Sequence, residues 1–193
     1  MKKALLIHGW FALKDCQDPA TPTPSSAHWF PWLSKQLMVN NIHTVAIEMP
    51  NAFNPQYNEW KSEFERYDLN EDTILIAHSL GCGFLTRYIS DNDVSVGKVI
   101  FVAPWIGVSQ PTESNGFDRA FSEYTVDKNL IKKTAGITII ESTNDMLSIG
   151  ESVEYLMKNV ADIKRIILKN KGHFRSEDLG TDEFPELLEE IKC

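Results

Sequence analysis

The stretch Thr73-Ile74-Leu75-Ile76-Ala77-His78-Ser79-Leu80-Gly81-Cys82-Gly83 constrains the fold more than any other part of the chain. Its apolar run Ile74-Leu75-Ile76 reads as a short strand buried on both faces. Phe84, Leu85, Tyr88 and Ile89 then recur at helical spacing. Between strand and helix there is room only for a tight turn. The residues two before and two after Ser79 face each other across it, so both must be small; they are Ala77 and Gly81. Small-x-Ser-x-Gly in this setting is a variant of G-x-S-x-G, in which a strained turn holds a serine hydroxyl out at the end of a sheet. The same residues also fit a plain buried turn whose serine caps the helix.

Five further strand-like runs frame this one: Ala4–His8, Thr44–Glu48, Lys98–Ala103, Ile137–Glu141 and Arg165–Leu168. Helix-length segments lie between most of them. Trp32, Leu33, Leu37 and Met38 share one face; Val153, Leu156, Met157 and Val160 share another. Near the end, Asp182 is placed to cap a helix carrying Phe184, Leu187, Leu188 and Ile191, with Pro185 in its first turn. Strands alternating with helices predict an α/β fold of three layers: a mainly parallel six-stranded sheet with helices on both faces. Right-handed crossovers then fix most of the topology. Two regions break the rhythm. Asp15–Ser26 holds three prolines and reads as a loop, and Trp105–Ala135 is long for a connection, with Phe117, Phe121 and Tyr124 at helical spacing.

A chain of 193 residues suits one domain spanning 1–193. The net charge of −8 argues against nucleic acid and anionic membrane as partners. Cys16, Cys82 and Cys193 are scattered and odd in number, which fits neither a disulfide framework nor a zinc site. After Lys2 and Lys3 only four apolar residues precede His8 and Gly9, too few for a secretory leader. The expected setting is the cytoplasm.

A serine hydroxyl becomes a nucleophile when a base takes its proton and a third group orients that base. Where a serine elbow serves this purpose the chain order is Ser, acid, His, each just past a strand. Asp145 follows the strand ending at Glu141, although aspartate is also a common turn residue. His173 follows the strand ending at Leu168, in the loop Lys169-Asn170-Lys171-Gly172-His173-Phe174. Each alone is weak; three residues of the right type, order and placement form the argument. Asp118, Asp127 and Asp162 are rival acids in or beside helix-like segments. His8, His28, His43 and His78 are rival bases; His43 starts a strand, and His78 should point away from Ser79. Two backbone amides would hold an oxyanion: Leu80, directly after the serine, and Trp10 in the loop after the first strand, with Phe11 as fallback. His8, Gly9, Phe11, His28, Trp105 and Phe117 are the candidate substrate contacts. No step of this chemistry calls for a metal or organic cofactor, and no G-x-G-x-x-G or P-loop points to a nucleotide.

These residues resemble the α/β-hydrolase superfamily, and within it the small, capless YdeN-like and retinoblastoma-binding-protein-like serine hydrolases. The likeness covers nearly the whole chain. It is carried by Leu6-Ile7-His8-Gly9, Ser26-Ala27-His28-Trp29-Phe30-Pro31-Trp32-Leu33, Met49-Pro50-Asn51, Ala77-His78-Ser79-Leu80-Gly81 and Gly172-His173-Phe174. The resemblance implies a Ser79–Asp145–His173 triad and hydrolysis of modest carboxylic esters or amides through an acyl-enzyme. It implies nothing about the natural substrate. Asp15–Pro24 departs from the pattern as an insertion. A competing expectation is a protein that keeps this fold as a binding module without turnover.

Overall fold

Six parallel strands lie in the order β2-β1-β3-β4-β5-β6 in the computed structural model, which describes residues 2–107 and 119–192. They are β1 Lys3–Ile7, β2 His43–Ile47, β3 Thr73–His78, β4 Val96–Val102, β5 Thr134–Ser142 and β6 Lys164–Leu168. Every residue of β3 is buried, as a central strand covered on both faces requires. The edge strands β2 and β6 are more open.

Among the described residues the helices are α1 Leu13–Gln17, α2 Phe30–Val39, α3 Tyr57–Phe64, α4 Leu80–Asp91, α5 Leu147–Asn159, α6 Ser176–Leu179 and α7 Pro185–Lys192. α2 packs against α7, and α3 against α4. Right-handed crossovers put these pairs on opposite faces of the sheet. The fold is the minimal α/β-hydrolase arrangement. None of the helices in the described residues is long and apolar enough to cross a membrane.

Four expectations need correction. Asp15–Ser26, read as a loop, begins inside α1 and ends in a 3-10 turn, Pro24–Ser26, with Pro24 at its first position. Met38 is 60% exposed, because the buried stripe of α2 runs through Phe30, Leu33 and Leu37 and leaves Met38 a step round the last turn. α7 starts at Pro185, so Asp182 falls outside the cap position; its carboxylate instead accepts the Ser176 hydroxyl. The helical spacing of Phe121 and Tyr124 yields only a single 3-10 turn, Arg119–Phe121, with Phe121 buried; Phe117 and Asp118 lie outside the described residues.

The topology locates a site. From β1 the chain crosses to β2 on one side, and from β3 it crosses to β4 on the other. The loops after β1 and β3 therefore diverge, which opens a crevice at the carboxyl ends of these neighbouring strands.

Candidate active site

Ser79 occupies that crevice with φ 54° and ψ −122°, a conformation costly for any residue with a side chain. The turn is closely packed against the loop after β1. A Cβ on Gly81 would lie 2.5 Å from the His8 carbonyl oxygen and 2.7 Å from that of Ile7. A Cβ on Gly9 would lie 2.8 Å from the Ser79 Cβ. The turn after β3 thus fits into the turn after β1 only because both carry glycine. The Ser79 N–H donates to the Val102 carbonyl (3.0 Å), and its carbonyl accepts from Trp105 N–H (3.2 Å). These bonds tie the elbow to β4 and the loop beyond it.

Asp145 and His173 converge on the serine from the ends of β5 and β6. His173 Nε2 is 2.9 Å from Ser79 Oγ. His173 Nδ1 donates to the Asp145 carboxylate, 2.9 Å from Oδ1 and 3.1 Å from Oδ2. The Asp145 side chain is 4% exposed and also accepts the Met146 N–H. The histidine bond fixes the tautomer: with Nδ1 donating, Nε2 has its lone pair toward the hydroxyl.

The loops carrying Asp145 and His173 are laced together. Asn170 N–H donates to Thr143 Oγ1 (3.1 Å), Lys171 N–H to Ser142 Oγ (2.8 Å) and Gly172 N–H to Asn144 Oδ1 (2.8 Å). Ser142-Thr143-Asn144-Asp145 therefore offers four consecutive side chains to the segment that ends in His173. The three preceding Asp145 carried no signal in the sequence beyond their turn composition.

His78 also proves to be more than a neighbour of the serine. It is buried, its ring centroid lies 4.9 Å from that of His173, and its Nε2–H donates to the His173 carbonyl at 2.8 Å. Burial, with His173 and His28 nearby, pushes its pKa well below the usual histidine value, so it stays neutral. Only the assembled fold could show this contact, because its partner lies 95 residues away.

The candidate substrate contacts divide. Gly9, Trp10, Phe11, His28 and Trp105 line a cavity of about 1100 Å³ above Ser79. His8, placed there from the sequence, is 1% exposed and does not reach it. Its Nδ1–H donates to the Gly9 carbonyl (2.7 Å) and its Nε2 accepts the Met49 N–H (2.9 Å), so it pins two loops from beneath. Burial lowers its pKa. His28, with φ 56°, stacks on Phe11 and accepts the Ser176 N–H at 3.3 Å; burial lowers its pKa too. Phe117 lies outside the described residues. Leu80 opens α4, where an N–H has no intrahelical partner. The Phe11 N–H, the fallback oxyanion donor, donates to the Ala52 carbonyl (3.1 Å).

The rivals have other occupations. Asp127 accepts the Asn129 N–H and pairs with Lys133. His43 begins β2, at the opposite end of the strands. Cys82 is buried, its Sγ directed to the Ala77 and Val102 carbonyls, and burial pushes the thiol pKa up. Among the described residues no group of three or more His, Cys, Asp or Glu could hold a metal ion. The Asp15–Ser26 segment lends Asp15, Thr21 and Pro22 to the cavity wall, and Glu48 anchors it by accepting Ser25 N–H and Oγ–H.

A model of the serine hydrolase family matches residues 19–192. The chain belongs to this family of serine hydrolases. This serine hydrolase is 26% identical over 188 residues to YdeN of Bacillus subtilis (strain 168), covering 95% of this chain and 91% of that one. The crystal structure of the ydeN gene product matches it with a TM-score of 0.81 over 100% of this chain and 97% of that chain. An esterase of Exiguobacterium antarcticum matches with a TM-score of 0.64 at 12% identity, over 100% of this chain and 91% of its own. A bromoperoxidase of Bacillus anthracis gives the same TM-score, 0.64, at 15% identity, over 100% of this chain and 92% of its own. At such identities the likeness speaks for the fold alone, and one fold carries both names.

Proposed function

We propose that this serine hydrolase cleaves small carboxylic esters or short amides through an acyl-enzyme on Ser79. One observation carries the reading: His173 Nε2 stands 2.9 Å from Ser79 Oγ while Asp145 holds Nδ1 at 2.9 Å. His173 takes the serine proton as Oγ adds to the carbonyl carbon. Asp145 stabilises the resulting imidazolium. The tetrahedral oxyanion is held by the Leu80 and Trp10 N–H groups, and the N-terminus of α4 favours its charge. His173 returns the proton to the leaving alcohol or amine as the carbon–oxygen or carbon–nitrogen bond breaks. Water then repeats the sequence, freeing the acid and restoring Ser79. A cavity walled by Trp10 and Trp105 near the nucleophile favours an apolar acyl group of modest size.

A fluorophosphonate probe tests this. It should label the native protein once, at Ser79, and Ser79→Ala should abolish labelling. His173→Ala should slow it at least about 10³-fold, because such groups act as a unit. Failure of the native protein to label at neutral pH would give the binding-module reading the lead. An acyl-chain series of p-nitrophenyl esters beside aminoacyl amides then ranks the substrates.

A further inference from the structure

Two side chains hold the main chain of His173 from opposite sides. Its carbonyl accepts from His78. Its N–H donates to Asp178 Oδ2 at 3.1 Å. The same oxygen accepts the Arg175 N–H (3.2 Å) and Arg175 Nε–H (3.0 Å). Asp178 is the third residue of α6, where a carboxylate ordinarily accepts the N–H of the residue just before the helix, here Arg175. Helix capping therefore accounts for the Arg175 bond. It does not account for the bond to His173, which lies two residues further out. Gly172 shows how tightly the loop is folded over the carboxylate. It has φ +51°, and a Cβ there would lie 2.6 Å from the Asp178 carboxyl carbon. Burial alone would raise the Asp178 carboxyl, but Arg175 and the N–H donors hold it below the usual carboxylate range. It is thus a pure acceptor at neutral pH.

We propose that Asp178 is a positioning residue of the hydrolytic site, fixing the backbone from which the His173 imidazole reaches Ser79. Asp145 sets the rotation of the ring; Asp178 sets where the ring starts. The role matters because the imidazole must keep two contacts of 2.9 Å at once, to Ser79 and to Asp145. Displacing a catalytic group by about 1 Å costs on the order of 10²-fold in rate. The inference rests on Ser79 being the nucleophile and His173 its base.

The experiment compares native protein, Ser79→Ala, Asp178→Ala and Asp178→Asn. The readouts are fluorophosphonate labelling rate, kcat and KM on a p-nitrophenyl ester, and thermal unfolding. Asp178→Ala should lower labelling and kcat about 10- to 10²-fold with KM little changed. Asp178→Asn keeps an acceptor oxygen and should recover most of the rate. In the ¹⁵N-histidine NMR spectrum, the Nδ1–H signal of His173 should broaden or vanish in Asp178→Ala and persist in Asp178→Asn. A native rate in a folded Asp178→Ala would overturn the proposal, as would a rise in KM with kcat intact, which would make Asp178 a substrate contact. Equal losses in both Asp178 variants would also overturn it. Labelling that survives in Ser79→Ala overturns the nucleophile reading instead, so the two failures are distinguishable.

Discussion

A methyl group at position 81 has nowhere to go, since the two atoms it would strike first are backbone oxygens of the neighbouring loop. At position 150, in α5, a methyl would meet nothing within 4 Å. The two glycines therefore make opposite predictions. Gly81→Ala should lower stability by about 1–3 kcal/mol through forced backbone movement, and it should slow labelling of Ser79 as the elbow shifts. Gly150→Ala should raise stability by about 0.5–1 kcal/mol through helix propensity and leave labelling unchanged. Urea unfolding midpoints with probe labelling check both. The sequence asked for a small residue at position 81 by setting it against Ala77 across the turn, whereas the nearest atoms lie elsewhere. The sequence could not reveal that the atoms demanding smallness belong to Ile7, the last residue of β1, and His8, just after it. For the same reason it could not reveal the hold of His78 on His173; that of Asp178, only five residues on, depends on the way the loop folds back over α6. Local chemistry shows in the spacing of residues, whereas partners across the sheet appear only once the strands are paired.

At the scale of elements, the six strands are found within a few residues of their expected bounds, because buried parallel strands are short apolar runs with little ambiguity. The region after Trp105 is where periodicity misleads. Phe121 and Tyr124 keep helical spacing, yet Phe121 is held by Tyr57 and Trp60 in a single turn of 3-10 helix. The apolar stripe of α7 was legible, but its polar attachment to the sheet had no sequence signal. Glu190 on α7 is 5% exposed and reaches three adjacent strands. Its Oε1 accepts from Thr138 Oγ1 on β5 (2.9 Å) and Lys98 Nζ on β4 (3.4 Å), and its Oε2 pairs with Lys164 on β6. Burial would raise its carboxyl, but Lys164, Thr138 and Lys98 together hold it below the usual range. Removing a buried acceptor strands its donors, so Glu190→Ala should lower stability by about 2–3 kcal/mol. Activity per folded molecule should stay native, because Lys98 and Lys164 mark the opposite end of the sheet from Ser79. Chemical denaturation and active-site titration separate the two effects; a loss of turnover without a loss of stability would contradict this placement.

For the whole molecule, we propose that residues 1–193 unfold as one domain, with calorimetric and van't Hoff enthalpies in agreement. The pH dependence of that transition follows from buried histidines. His8 has both ring nitrogens engaged, and protonating Nε2 would break its bond to Met49. His78 is buried beside two other imidazoles. Burial lowers both pKa values in the fold. The sign is then fixed. Above about pH 6.5 these groups are neutral whether folded or unfolded and contribute no slope. Below it the unfolded chain takes up protons that the fold refuses, so stability falls as the pH drops toward the folded pKa values. Each such group contributes up to about 1.4 kcal/mol per pH unit in that window. Asp178 and Glu190 act in a separate, lower window: their lowered carboxyls stabilise the fold above the ordinary carboxylate range and lose that effect as the pH falls through it. Urea unfolding at pH 8, 7, 6 and 5 should therefore show a plateau and then a decline before any carboxylate titrates. His78→Gln, which keeps a donor for the His173 carbonyl and removes one titrating ring, should flatten the decline between pH 6.5 and 5 by up to about 1.4 kcal/mol per unit. A native slope that is already flat across that interval would mean that the unfolded chain does not outbid the fold for protons there, and that these imidazoles titrate in place.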